Sequence, residues 1–121
     1  MREKSILVVE DSPTELQMVT SVLNDNGYQF MVATDGEEAL KKALQSKPAL
    51  MLLDVVLPKK NGFQVCRQIK SAPETKGIKI IVLSSKNQDS DKYWGLRQGA
   101  DLYLTKPFKT DELLRAIAQL L

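Results

Sequence analysis

Three acidic side chains directly follow apolar runs of the sequence. Glu10 and Asp11 come after "ILVV", and Asp54 comes after "LMLL", which begins at Leu50. A carboxylate at the end of a buried segment is costly unless something uses its charge. Three such charges close together repel one another, and the arrangement is tolerable only with a cation present. The pattern predicts a cation site if the fold brings these segments together.

A hydroxyl group and an ammonium group follow two further apolar runs. Ser84 comes after "IIVL", and Lys106 comes after "LYLT". Oxygen ligands without imidazole or thiolate select Mg²⁺. A carboxylate beside Mg²⁺ and a lysine suits phosphoryl transfer, because the cations neutralise the phosphoryl oxygens while the carboxylate attacks. These residue types indicate that Asp54 is a phosphoryl-accepting nucleophile.

Composition excludes several other chemistries. The 121-residue chain contains no histidine and one cysteine, which excludes Ser-His-Asp triads, Cys-His pairs, the common zinc sites and an internal disulfide. Cys66 lies between apolar residues at helical spacing, so we interpret it as a small buried hydrophobe. The net charge of +2, from 17 basic and 15 acidic residues, is too small and too evenly scattered to predict nucleic-acid binding.

The N-terminus and the length of the apolar runs bear on location. Met1 leads into a charged stretch and then a short strand-like segment, which is not typical of a signal peptide. No apolar run reaches the roughly 18 residues that a membrane-spanning helix needs. We therefore expect a cytoplasmic protein with no membrane insertion.

Two kinds of apolar spacing alternate along the chain and must position these side chains. Short β-type runs lie at Ser5–Val9, Tyr28–Thr34, Leu50–Leu53, Ile80–Leu83 and Leu102–Thr105. Apolar faces at helical spacing are formed by Leu16, Val19 and Leu23; Ala39, Leu40, Ala43 and Leu44; Val65, Cys66 and Ile69; Tyr93, Leu96 and Ala100; and Leu113, Leu114, Ile117, Leu120 and Leu121. Five strands alternating with five helices predict one α/β domain over residues 1–121, with a parallel sheet covered on both faces. Functional sites in such sheets form beyond the carboxyl ends of the strands.

Four elements of the sequence, taken in order, resemble one family. They are "VVEDSP" at the end of the first strand, "DVVLPKKNG" from Asp54 to Gly62, Ser84 after the fourth strand, and "KPF" from Lys106 to Phe108. The chain resembles the CheY-like receiver domains of two-component response regulators from Ile6 to Leu121. The resemblance implies a flavodoxin-like, doubly wound, five-stranded parallel sheet of order 2-1-3-4-5 with five helices.

The resemblance assigns roles around the acceptor. Asp54 is expected to accept a phosphoryl group from the phosphohistidine of a histidine kinase, in a reaction that requires Mg²⁺. Asp11, Glu10, Asp54 and the backbone carbonyl of Val56 are the expected Mg²⁺ ligands. Many receivers carry two aspartates where this chain has Glu10 and Asp11, so Glu10 is a departure that bears on the geometry of the metal.

Three further residues complete the expected site. Lys106 is expected to pair with Asp54 and then with the phosphoryl group. The peptide bond between Lys106 and Pro107 is expected to be cis. Ser84 is expected to donate a hydrogen bond to a phosphoryl oxygen. Tyr103 is the expected switch aromatic, which turns inward when Ser84 moves, although its place on a strand also fits an ordinary core tyrosine.

The resemblance also bears on output and lifetime. A stand-alone receiver is expected, which is a phosphoacceptor switch rather than an enzyme and controls a downstream protein effector through the surface of its fourth helix, fifth strand and fifth helix. The stretches "EDSPTE" and "KYWGLRQGADLYLTKPF" look most like receivers of chemosensory systems that control type IV pilus twitching motility. Trp94 is either a partner contact or a ring that covers the sheet edge. Val56 and Lys86 flank the acceptor, and an apolar Val56 predicts slow spontaneous dephosphorylation.

Other interpretations of the same sequence remain open. A pseudo-receiver would bind proteins without carrying phosphate, and a receiver fragment of a longer regulator would have the same motifs. An aspartate-nucleophile phosphatase is disfavoured because those enzymes place the nucleophile after the first strand, with a second aspartate two residues later, where this chain has Val56. A flavin-binding domain is disfavoured because no phosphate-binding loop rich in Ser, Thr and Gly follows the first strand.

Overall fold

The protein is described by a computed structural model over residues 5–85 and 88–121. Among these residues the strands are β1 (Ser5–Val9), β2 (Gln29–Ala33), β3 (Leu50–Asp54), β4 (Lys79–Ser84) and β5 (Leu102–Thr105). The helices are α1 (Pro13–Asp25), α2 (Gly36–Ser46), α3 (Gly62–Ser71), α4 (Asp89–Arg97) and α5 (Thr110–Leu120). The predicted alternation is confirmed, and each predicted strand end lies within one residue of the observed end.

The strands form one parallel sheet of order β2-β1-β3-β4-β5. Asp54 lies opposite Leu83 on the neighbouring strand, and Ser84 lies opposite Thr105. Because every strand runs in the same direction, the carboxyl ends of β1, β3, β4 and β5 meet at one edge. The predicted flavodoxin-like fold is confirmed.

Side chains that alternate along each strand pack into two separate core layers. On one face the strands pack with α1 and α5, through residues such as Val19, Leu23 and Ile117. On the other face they pack with α2 and α3, and Cys66 is fully buried in this layer. Coverage of both faces explains why all five residues of β3 are buried and why the strand reads as a continuous apolar run.

Helix caps hold the chain at the site edge. Ser12 precedes α1 and its side chain accepts a hydrogen bond from the Glu15 amide, while Pro13 is the first helical residue. Asn61 begins α3 with a capping box that it forms with Gln64. These caps start the helices close to the strand ends, so that the acidic residues stay at the edge of the sheet.

Two of the predicted helical faces are wrong in part. Tyr93 and Leu96 were expected to face the core from α4, but they are 63% and 49% exposed. The residue of α4 that is buried is Gly95, whose lack of a side chain makes it invisible to hydrophobic periodicity. Leu44, predicted on the inner face of α2, is 51% exposed and lies in the last turn of that helix.

No helix within the described residues is both long enough and apolar enough to cross a membrane.

Candidate functional site

Three carboxylates meet where β1 and β3 end. Glu10, Asp11 and Asp54 each place one carboxylate oxygen so that the three atoms lie within 4.8 Å of one another. Glu10 is 3% exposed and Asp54 is 7% exposed, whereas Asp11 faces solvent. The structure therefore brings together the three acidic side chains that the sequence selected as Mg²⁺ ligands.

Lys106 reaches the same group of carboxylates from the end of β5. Its ammonium nitrogen lies 3.0 Å from Glu10 Oε1, 3.4 Å from Asp54 Oδ1 and 2.9 Å from Glu15 Oε1. Its backbone amide donates a hydrogen bond to the carbonyl of Ser84 at 2.7 Å. The lysine is thus fixed through its backbone and its side chain, with the ammonium directly beside the candidate nucleophile.

Burial and charge shift the pKa of two groups in this cluster. Burial raises the pKa of Glu10 above its ordinary value, and hydrogen bonds from Lys106 and from the Ser12 amide only partly offset the effect. Burial alone would lower the pKa of Lys106, but its hydrogen bonds to Glu15 and Glu10 and the charge of Asp54 raise it by more. Lys106 is therefore a permanent cation at neutral pH. Any further positive charge nearby would stabilise the ionised form of the Glu10 carboxylate.

An open cleft of about 480 Å³ lies over these groups. The polar residues that line the cleft include Asp11, Asp54 and Lys106. The apolar residues that line it are Met18, Val56, Pro107 and Phe108. Val56, the predicted backbone ligand, lines this cleft two residues after Asp54, and the residue is 65% exposed. A small anion could therefore reach Asp54 from solvent.

The predicted hydroxyl group lies deeper than the cleft. Ser84 is the last residue of β4 and is 2% exposed, and the serine that lines the cleft is its exposed neighbour Ser85. Ser84 is nevertheless next to Lys106, through the backbone hydrogen bond between them. Its role as a phosphoryl donor group stays a prediction, and the part predicted for Lys86 lies outside the described residues.

Tyr103 lies half-buried on β5, directly beneath α4. A Cβ atom placed on Gly95 would be 2.9 Å from Tyr103 Cδ2 and 3.2 Å from Phe63 Cε1. The ring therefore contacts the helix backbone across the space that a side chain at position 95 would occupy. The arrangement fits both uses that the sequence left open, a switch aromatic and a core tyrosine.

The peptide bond between Lys106 and Pro107 is cis, as the resemblance implied.

Two residues that the sequence did not select belong to the site. Gly62, for which the sequence predicts no role of its own, packs against the backbone of the acceptor: a Cβ at this position would be 2.3 Å from the carbonyl oxygen of Asp54. Glu15 makes the shortest of the three Lys106 contacts. In the sequence Glu15 stands out only by its position three residues after Ser12. That spacing is typical of a helix cap, so it predicts a contact with Ser12 and gives no indication of the ion pair with Lys106.

The donor set is suited to a hard divalent cation. Three carboxylates converge, no histidine exists in the chain, and the single cysteine is buried in the core away from the cleft. Mg²⁺ binds through a few carboxylates and keeps several water molecules. An exposed Asp11 beside the buried Glu10 and Asp54 provides charged oxygens on one side and solvent on the other, so the residues present fit this ion.

Comparison with known proteins gives a family for this arrangement. A model of the response regulator receiver domain matches residues 6–118. Protein PilH of Pseudomonas aeruginosa is 45% identical over 112 residues, which is 93% of each chain. Further relatives are longer: the transcriptional regulatory protein PhoP of Bacillus subtilis and the DNA-binding response regulator MtrA of Mycolicibacterium smegmatis are 44% and 40% identical, and the chain spans 45% and 50% of their length.

Solved structures agree with the sequence relatives. A putative response regulator from Chloroflexus aurantiacus superposes with a TM-score of 0.93 at 33% identity over 98% of both chains. The receiver domain of a sensor histidine kinase from Pseudomonas aeruginosa, solved with a magnesium ion coordinated in its active-site cleft, superposes with a TM-score of 0.90 at 29% identity, again over 98% of both. With its acidic edge, lysine and sheet order all in place, this chain belongs to the response regulator receiver domain family.

Proposed function

We propose that this chain is a phosphoacceptor switch in which Asp54 receives a phosphoryl group from the phosphohistidine of a histidine kinase. The observation that carries the proposal is the position of the Lys106 ammonium, 3.4 Å from Asp54 Oδ1 at the floor of a cleft open to solvent. A carboxylate that is nearly buried beside a fixed cation is suited to attack an anionic group, because the cation offsets the charge that the group brings.

The transfer itself needs little from the protein besides positioning. A carboxylate oxygen of Asp54 attacks phosphorus in line, a new P–O bond forms, and the P–N bond to the donor imidazole breaks with its electron pair going to the nitrogen. Lys106 neutralises part of the phosphoryl charge. Ser84 is the hydroxyl that hydrogen-bonds a phosphoryl oxygen in this proposal, which requires the end of β4 to move toward the cleft.

Glu10, Asp11, Asp54 and the Val56 carbonyl are the proposed Mg²⁺ ligands. Bound there, the ion supplies positive charge to the phosphoryl oxygens. The solved receiver with magnesium in its cleft supports this assignment by similarity. The mutual repulsion of three clustered carboxylates supports it on physical grounds.

The output follows from Tyr103 and the surface above it. The phosphoryl group carries about two negative charges where the Asp54 carboxylate carried one, and its contacts shift a balance between two conformations of the surface that α4, β5 and α5 form. Tyr103 contacts α4 at Gly95, so a change in the ring reaches this surface directly. Exposed Trp94 belongs to the same surface and is a proposed contact for the protein effector.

The most specific part of the proposal concerns the signalling pathway in which this chain acts. Similarity to PilH over nearly the whole length of both chains, together with the sequence resemblance described above, supports a stand-alone receiver over residues 1–121 in a chemosensory system of the type IV pilus kind. Such a receiver is cytoplasmic, takes its phosphoryl group from a kinase and acts on a protein rather than on nucleic acid.

The test is phosphorylation by acetyl phosphate with Mg²⁺. Intact-protein mass spectrometry is expected to show one added phosphoryl group on the wild type and none on Asp54→Ala. Asp35→Asn is the control, because Asp35 caps α2 and does not line the cleft. A chain that stays unmodified while Mg²⁺ binds would instead be a pseudo-receiver. Decay of the modified wild type, followed in the same samples, tests the slow dephosphorylation expected from Val56.

A further inference from the structure

Lys106 is shared among more carboxylates than the phosphoryl chemistry requires. The sequence predicts its pairing with Asp54, yet its shortest ion pair in the structure is with Glu15 at 2.9 Å. Lys106 is 13% exposed while the Glu15 side chain is 40% exposed. Glu15 is therefore the most exposed of the three carboxylates that contact this ammonium.

The first turn of α1 shows why Glu15 is available for this contact. Ser12 and Glu15 have the spacing of a capping box, in which the glutamate side chain would accept from the Ser12 amide. Only half of that box forms: Ser12 Oγ accepts from the Glu15 amide at 3.4 Å. The Ser12 amide instead donates to Glu10 Oε2 at 3.2 Å. Glu10 thus replaces Glu15 in the cap, and the Glu15 carboxylate is directed to Lys106.

Glu15 also stands apart from the group that fits the cation. The converging carboxylates are Glu10, Asp11 and Asp54, and Glu15 is not among them. A cation at those three carboxylates would compete with Lys106 for Glu10 and Asp54. Glu15 would remain as a partner for the ammonium.

We propose that Glu15 is a positioning residue for Lys106, which shares the ammonium with Glu10 and Asp54 and weakens its contacts with those two carboxylates until a phosphoryl group arrives and displaces Glu15. This inference rests on the proposed function and adds a control on its rate. The Glu15 charge competes with the phosphoryl oxygens for Lys106 and repels them. Before phosphorylation, the same charge weakens the competition of Lys106 with Mg²⁺ for Glu10 and Asp54.

The two effects have opposite signs, which makes a sharp test with Glu15→Gln. At saturating Mg²⁺ the initial rate of phosphorylation by acetyl phosphate is expected to rise about two- to fivefold, the range that a partly exposed ion pair gives. The dissociation constant of Mg²⁺, measured by calorimetry without any phosphodonor, is expected to rise by a similar factor of about two to five. Damage to the fold would instead lower the phosphorylation rate while it weakened Mg²⁺ binding.

Glu112→Gln is the matched control. Glu112 occupies the equivalent third position of α5, and its substitution by Gln makes the same change in net charge. Its side chain, however, accepts a hydrogen bond from the Lys109 amide at 2.9 Å at the start of its own helix. This variant is expected to leave the phosphorylation rate and the Mg²⁺ dissociation constant at their wild-type values. A rise of both quantities in Glu112→Gln would show a general effect of charge and overturn the role of Glu15.

Combination with Lys106→Met shows whether Glu15 acts through the lysine. In that background Glu15→Gln is expected to change the Mg²⁺ dissociation constant by less than half of the factor seen with Lys106 present. An equal factor in both backgrounds would mean that Glu15 acts by its own field, and the proposal would be wrong. The binding measurement needs no phosphoryl transfer, so it decides the role of Glu15 even for a chain in which Asp54 is never modified, an outcome that defeats only the proposed function.

Discussion

Glu10 shows how one additional methylene group can change a site. The residue sits at the end of β1 with 3% of its surface exposed, and its two oxygens serve different partners. Oε1 accepts from Lys106 at 3.0 Å, and Oε2 accepts from the Ser12 amide at 3.2 Å. Through these contacts Glu10 links the lysine of β5 to the cap of α1, a link that the sequence indicated only as a departure from a pair of aspartates.

Gly62 gives a prediction at the same scale. Gly62→Ala is expected to destabilise the protein by about 1–3 kcal/mol, because the new methyl group would lie 2.3 Å from the Asp54 carbonyl and the backbone must move. Chemical denaturation measures the loss, and the phosphorylation rate should fall with it because Asp54 is displaced.

Gly77→Ala is the control for this substitution. A Cβ at Gly77 would meet nothing within 4 Å, so the change is expected to be neutral or to stabilise by less than about 1 kcal/mol. Equal stabilities for the two variants would show that Gly62 does not pack against the acceptor as described.

At the scale of elements, α4 differs from the other helices. Four helices bury apolar side chains against the sheet, whereas α4, among the described residues, buries Gly95 and leaves Tyr93, Trp94 and Leu96 exposed. Because its contact with β5 runs through Gly95 and the Tyr103 ring, the helix is held by little buried apolar surface. Elements with few buried contacts are the ones that move most readily, which suits α4 to the proposed output surface.

Gly95 and Tyr103 can be tested as a pair. Gly95→Ala is expected to destabilise the wild type by about 1 kcal/mol, because the overlap with the Tyr103 ring costs more than the gain in helix propensity. In the Tyr103→Ala background the same change is expected to stabilise by up to about 1 kcal/mol, since the ring is gone and propensity remains.

Urea denaturation of the four proteins gives the coupling energy. A coupling near zero would show that α4 and the Tyr103 ring do not share this contact.

At the scale of the whole molecule, separate parts of the chain meet in one charged cluster. Lys106 is 96 positions from Glu10 and 52 from Asp54. Holding like charges at the common edge opposes folding, and a bound cation removes that cost. The stability of the fold and the occupation of its site are therefore linked.

Mg²⁺ is expected to raise the melting temperature as a result. At a Mg²⁺ concentration about 100 times Kd, the stabilisation is about 2.7 kcal/mol, or roughly 10 °C for a domain of this size. The effect should vanish in Asp11→Asn, whereas Asp25→Asn, at the far end of α1, should keep it. A full shift in Asp11→Asn would place the ion elsewhere.

The pH dependence of this stabilisation follows from Glu10. Protonated Glu10 cannot bind the ion, and its pKa in the metal-free fold is raised by burial. As the pH falls, the Mg²⁺-dependent rise in melting temperature should therefore disappear at a higher pH than an ordinary glutamate would give. Calorimetric melting in matched buffers with and without Mg²⁺ measures this rise in melting temperature. A rise that persists below a pH of about 4 would contradict the prediction.

The sequence by itself determined the α/β alternation, the sheet edge and the acidic residues, lysine and serine gathered there. It could do so because burial on both faces of a sheet leaves continuous apolar runs, and because residues that end those runs must lie at one edge. Asp54, Glu10 and Lys106 were visible as charges placed where charge is costly.

Only the tertiary structure decided which ion pairs and hydrogen bonds these residues form and which face of α4 is exposed to solvent. The pairing of Glu15 with Lys106 joins distant segments, and a capping pattern in the sequence favoured a local partner instead. Gly62 and Gly95 matter because other groups occupy the space beside them. A residue without a side chain leaves no mark in hydrophobic periodicity, so close packing against it is known only once both surfaces are placed.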